Sequence, residues 1–336
     1  MQFSELAKKF ARTDLPGSEV EFTGEIPADD VAPYRAQALA HIAEHAEMPG
    51  FRPGKVPQDM VLRKVGEMAV LEEAVDLFVK DFYPEFVETL ALNAVGRPSI
   101  SITKLAPQNP VALTIRTTLY PEVELPKNWK MTGERVALEP SLHATDEEVN
   151  QTLESLKESR KAEKIDDEFA KSLGTFESLE ALKTGIRKGI GEEKARAARD
   201  ARRGKIIDAL LEKINLEVPR IFVESELDKI MSQLKEDIAR MGMKFEDYLT
   251  HANKTEEGIR TVFKDQARKR AKLQLTLNAI AGAEKLEPEK AAVDAELKHA
   301  MEHFPAASPE LVRIHIETVL RNELALKLLE DTGKKE

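Results

Sequence analysis

Gly50-Phe51-Arg52-Pro53-Gly54-Lys55-Val56-Pro57 sets one aromatic and two cations between two glycines and two prolines. Upstream, Val31, Tyr34, Ala38 and Ile42 recur at helical spacing across Ala28 to Met48, and the segment from Gln58 is again helical in pattern. The octet therefore reads as an exposed loop joining two helices. Proline at 53 and 57 fixes φ and removes donors, while glycine at 50 and 54 permits left-handed turn conformations. A loop so constrained loses little entropy on docking. Phe51 beside Arg52 and Lys55 fits a partner that is anionic yet offers an apolar crevice, such as structured RNA with its proteins. The plainer alternative is a helix connection whose Phe51 folds back onto its own helices.

Outward from the loop, Val20, Phe22, Gly24 and Ile26 alternate with polar residues, and Leu113, Ile115, Thr117 and Leu119 do likewise. With Ile100 to Leu105 they predict a small antiparallel sheet. Leu71, Val75, Phe78, Phe82, Phe86 and Leu90 fall on one helix face, which should cover that sheet. Residues 1–120 thus form an α+β domain: a small antiparallel sheet packed on long helices, with a projecting helix-loop-helix tip. Pro121, Pro126 and Pro140 mark an extended linker over 121–144. Thr145-Asp146-Glu147-Glu148 is a capping box, and a helix is expected from there to about Lys164. All that follows reads as an extended all-α domain, 145–336. Its helices are expected over Phe176 to Leu216, from Pro219 to near Gly242, Thr255 to Ala281, Pro288 to Phe304 and Ser308 to Asp331, with Ser308 as N-cap of the last.

A chain of 336 residues has length for two or more domains. Charged residues make up 33% and aromatics 5%, with a single tryptophan, Trp129, a balance that favours long solvated helices over a compact aromatic core. Without cysteine there are no disulfides, thiol catalysis or thiolate metal sites. The first residues carry no secretory pattern and no 18 apolar residues run together, so a soluble, unsecreted protein without membrane contact is expected. A formal charge of -10 argues against a general nucleic-acid coat. Residues 1–120 hold 12 bases against 17 acids, so any contact with an anionic partner must be local, modest and salt-sensitive.

Gly-Phe-Arg-x-Gly-Lys-x-Pro, Tyr120-Pro121-Glu122-Val123-Glu124-Leu125 and Ile165-Asp166-Asp167-Glu168-Phe169-Ala170 together resemble segments of trigger factor, the ribosome-associated bacterial chaperone family. The likeness covers nearly the whole chain. It implies docking at the large ribosomal subunit near the tunnel exit, against protein and rRNA, through Phe51, Arg52 and Lys55. Gly50, Pro53, Gly54 and Pro57 would shape the loop; where some members carry a third cation, this chain has Pro53. The helical domain would supply a body and two arms, forming a cradle for unfolded nascent polypeptides. Full-length members carry a peptidyl-prolyl isomerase domain of FKBP type between segments resembling Leu153-Glu154-Ser155-Leu156 and Asp166-Asp167-Glu168-Phe169. Here no such domain fits between 156 and 165. The chain is therefore expected to be an ATP-independent cytoplasmic chaperone, not an enzyme. The alternative is a ribosome-independent holdase or assembly factor, free or dimeric.

Other motifs look chemical. His41-Ile42-Ala43-Glu44-His45 and His299-Ala300-Met301-Glu302-His303 both match the inverted zinc-peptidase pattern, but two unrelated copies without a third-ligand segment argue against a catalytic zinc. No phosphate loop, nucleophile elbow or calcium loop occurs, and no cofactor is expected. Adjacent acids at Asp29-Asp30 and Asp166-Asp167 suit caps and solvation. Arg196, Arg199, Arg202 and Arg203 make either a basic face for RNA or, with Glu192, Glu193 and Asp200 interleaved, a solvated helix face. Met231, Met241, Met243 and Phe245 suit either an adaptable client surface or core packing.

Overall fold

The computed structural model describes residues 3–49, 51–52, 54–137 and 143–331. Gly50, Pro53 and Pro140 lie outside the described residues. Contacts divide the chain into two units, Met1–Glu122 with Leu216–Lys272 and Val123–Asn215 with Leu273–Glu336.

The first unit opens with α1 (Phe3–Ala7), β1 (Ala11–Leu15), β2 (Glu19–Ile26) and α2 (Ala28–Val31), continues through α3 (Arg35–His45) and α4 (Gln58–Thr89), and closes its head with β3 (Ala94–Lys104) and β4 (Val111–Leu119). The strands form one antiparallel sheet in the order β1-β2-β4-β3. Phe22 stands opposite Ile115, which stands opposite Ile100, so the apolar phase of three strands shares one face. Onto it α4 lays Phe78, Phe82 and Phe86, all fully buried. Period two in the strands meets period 3.6 in the helix, and a phenylalanine stack fills the space between. Phe22 and Phe86 meet edge to face at 4.9 Å, Phe10 and Phe86 at 5.5 Å, and Phe3 and Phe78 at 5.5 Å. The expected sheet is present with β1 as an additional edge strand. The backbone of α4 leaves helical geometry at Gly66 (φ 84°, ψ 162°), a conformation only glycine adopts at little cost.

In the same unit, α8 (Arg220–Arg240) packs on α10 (Glu256–Glu284, whose residues up to Lys272 belong here) through Val223, Leu227, Ile230 and Ala267. Between them lies α9 (Phe245–Ala252), a short helix absent from the sequence expectation. Arg260 fastens the pair, donating to Glu224 and Asp228 at 2.8 Å each.

In the second unit, α5 (Asp146–Arg160) begins on the expected capping box: the Glu148 N–H donates to Thr145 Oγ1 at 3.3 Å and the Thr145 N–H to Glu148 Oε2 at 2.8 Å. It ends earlier than expected, because Lys161 takes a left-handed φ of 53°. Asp166 caps α6 (Asp167–Ser172), and Asp167 accepts the Leu179 N–H at 2.7 Å at the start of α7 (Leu179–Lys213), so these paired acids are indeed caps. Val149, Leu153, Phe169, Ala170 and Leu182 join the three helices. The unit also holds α11 (Lys290–His303) and α12 (Pro309–Asp331).

The arginine cluster on α7 fits neither reading in full. Arg202 is part-buried and donates to three backbone carbonyls: Val136 and Gly133 at 2.9 Å each, and Glu330 at 3.2 Å. Arg203 holds the Glu330 and Glu323 carboxylates, and the Glu330 bond raises its pKa. Two of the four cations are thus turned to internal work.

Candidate docking loop and exposed apolar helix ends

The loop between α3 and α4 is held from below. Arg35 on α3 forms a two-bond fork with Glu67 on α4, at 2.6 and 2.9 Å, which holds the Glu67 carboxyl below its usual range. The Tyr34 hydroxyl donates to Asp81 at 2.9 Å; burial, then the neighbouring carboxylate, pushes its pKa up. Closer to the loop, Lys64 Nζ donates to the Glu47 carbonyl at 2.8 Å.

Within the loop, the Phe51 N–H donates to the Met48 carbonyl at 3.1 Å and the Lys55 N–H to the Arg52 carbonyl at 2.9 Å. Gly54 has φ +74°, and a Cβ there would sit 2.9 Å from the Glu44 carbonyl oxygen, so glycine is required for conformation and for space. Pro57, at φ -58°, stands before the first turn of α4 and accepts the Met60 and Val61 N–H groups. Val56 is the inward anchor, 6% exposed, in the same core as the phenylalanine stack. Phe51 is 38% exposed, more open than Val56 but not fully in solvent. Arg52 and Lys55 are exposed and make no ion pair among the described residues. Alternation of prolines and glycines made the loop legible; nothing in the sequence separated Val56 as the buried anchor from Phe51 as the more exposed side chain.

Exposed apolar side chains also gather at helix ends. In the first unit, Met241 is 72% exposed and Met243 is exposed beyond the end of α8, whereas Met231 lies in the core. In the second unit, Phe304, Leu311 and Ile314 are exposed around the α11–α12 connection, a feature no sequence signal singled out. Neither histidine motif acquires a third ligand: among the described residues, no three His, Cys, Asp or Glu side chains are grouped to hold a metal. No described helix is long and apolar enough to cross a membrane.

The α+β head carries the aromatic-cationic loop, and exposed methionines and a phenylalanine stand just beyond the ends of α8 and α11. Residues 8–156 match the family model described as bacterial trigger factor protein, and residues 178–332 match its C-terminus model. The chain belongs to the trigger factor family. It is 24% identical to the trigger factor of Macrococcus caseolyticus, spanning 95% of this chain and 97% of that one, and 23% identical to that of Carboxydothermus hydrogenoformans, spanning 91% and 93%. The first alignment runs over 418 positions, more than the 336 residues here, so the relative carries residues without counterparts in this chain. The fold is that of a solved trigger factor described for promiscuous substrate recognition in folding and assembly, with TM-score 0.54 and 16% identity over 96% of this chain and 99% of the other.

Proposed function

We propose that this chain is an ATP-independent chaperone of the cytoplasm that docks at the ribosomal tunnel exit and shields hydrophobic segments of nascent polypeptides in a helical cradle. One observation supports the docking half: Phe51 is 38% exposed beside two exposed cations that make no ion pair among the described residues, on a loop held at Val56 and Lys64. Phe51 fills an apolar crevice of the partner, and Arg52 and Lys55 pair with phosphate or carboxylate. Gly54 and Pro57 hold the loop's shape, and Gly50 and Pro53, outside the described residues, are assigned the same task. Holding requires no bond-making: many weak apolar contacts, such as those of Met241, Met243 and Phe304, lower the free concentration of unfolded chain. Phe51→Ala combined with Arg52→Ala and Lys55→Ala is expected to abolish co-sedimentation with ribosomes and leave suppression of aggregation largely intact. Unchanged pelleting overturns the docking assignment.

The chain is not an isomerase on this reading. Only residues 161–166 separate α5 from α6, too few for a domain of about 100 residues. Substoichiometric acceleration of a proline-limited refolding reaction would refute it. The acidic balance of the head, 12 bases against 17 acids over residues 1–120, favours a second reading, a ribosome-independent holdase or assembly factor, free or as a homodimer. Ribosome pelleting of the unaltered protein across a salt series separates the two.

A further inference from the structure

We propose that His41 and His45 form a divalent transition-metal site on the outer face of α3, with zinc as its best-fitting ion. The two imidazoles stand one helical turn apart, edge to face, with ring centres 5.3 Å apart. With metal–nitrogen bonds of about 2.0–2.1 Å, two imidazoles on one ion have centres roughly 4.5 Å apart at a right angle and roughly 5.2 Å apart at the tetrahedral angle. The observed ring-centre spacing is compatible with the tetrahedral case, which zinc prefers.

A second observation separates this pair from a chance coincidence of surface histidines. His41 Nδ1 lies 2.8 Å from Glu73 Oε1 on the neighbouring helix α4. An ionised carboxylate can only accept, so in the neutral ring Nδ1 carries the proton and Nε2 is the nitrogen left for a metal. A carboxylate bonded to the far nitrogen of a ligating histidine is the arrangement that fixes tautomer and ring orientation at metal centres. Both residues are exposed, so a metal gains access without any change of core packing. Lys64 lines the same groove, but its ammonium is committed to the Glu47 carbonyl. No third protein ligand completes the set among the described residues, so water fills the remaining positions and the site binds rather than catalyses. The chain carries its own comparator. His299 and His303 on α11 are 4.7 Å apart, nearer the right-angle case, and neither ring is bonded to a carboxylate among the described residues.

The test is titration of the full chain with zinc ion alone, at pH 7.5, in competition with a chromophoric chelator. The tightest equivalent should be lost in His41→Asn/His45→Asn and kept in His299→Asn/His303→Asn. Glu73→Gln should weaken it roughly 10–100-fold. Circular dichroism of each variant confirms that the helices are intact. A wild type that takes up no zinc, or a tightest equivalent that survives loss of His41 and His45, overturns the site; undiminished affinity in Glu73→Gln overturns the orienting role of that carboxylate.

Discussion

The head and the helical second unit are stabilised in different ways. In the head, phenylalanines from α1, β2 and α4 and the segment before β1 meet in one stack, and the sheet, the helices and the Val56 anchor share a single core. In the second unit, α5, α6 and the start of α7 meet over a separate cluster of five buried residues, Ile206, Leu210 and Leu329 are buried further along, and Arg202 and Arg203 add polar ties beside that aliphatic packing. A continuous core makes a block that holds a loop's geometry.

The largest expected effect tests the head. Phe86→Ala should cost about 3–5 kcal/mol by emptying the centre of the stack, read as a shift in urea midpoint that carries the whole head. Leu153→Ala, in the smaller cluster, should fall near the low end for such truncations, about 2 kcal/mol, and equal losses would break the contrast. Arg202→Ala comes next at about 1.5–3 kcal/mol for charge-assisted bonds, with faster amide exchange around residues 133–136 and the end of α12. Arg202→Lys should not restore it, since one ammonium cannot serve the same carbonyls from a planar fork. Gly54→Ala should cost about 1–2 kcal/mol through strain at positive φ and the Glu44 clash, and weaken the proposed ribosome docking more than its stability loss explains. Smallest is Thr145→Ala, about 1 kcal/mol through loss of the cap, seen in exchange of the first turn of α5. The Lys194 bond holds Glu148 below its usual pKa. That contribution is present at neutral pH and above, and is lost as pH falls through the depressed value; Glu148→Gln should flatten the acid limb.

The head's sheet and α4 were legible because Phe22, Ile115 and Phe78 stand in unbroken periodic patterns. Strand β1 was not, because Ala-Arg-Thr-Asp-Leu at an exposed edge has no apolar alternation to detect. The helix α9 was hidden by its shortness, and the end of α5 by a lysine, Lys161, in the left-handed role usually marked by glycine. Of the candidate site, spacing revealed the loop's residue types but not their burial: that Val56 is 6% exposed and Phe51 38% depends on tertiary packing that no local pattern encodes. The task of Arg202 was beyond reach, because its acceptors are backbone carbonyls, which no side-chain pattern announces.

Those acceptors lie 69, 66 and 128 residues from Arg202, at Gly133, Val136 and Glu330. The tie therefore has an order in time. During synthesis the head has all its core residues once β4 has emerged, whereas Arg202 must wait for the last turn of α12, a further roughly 6–26 s at about 5–20 residues per second. For that interval the Gly133 and Val136 contacts stand without their third partner. A nascent chain stopped short of Glu330 should accordingly show a protected head and a still-exchanging 133–136 turn.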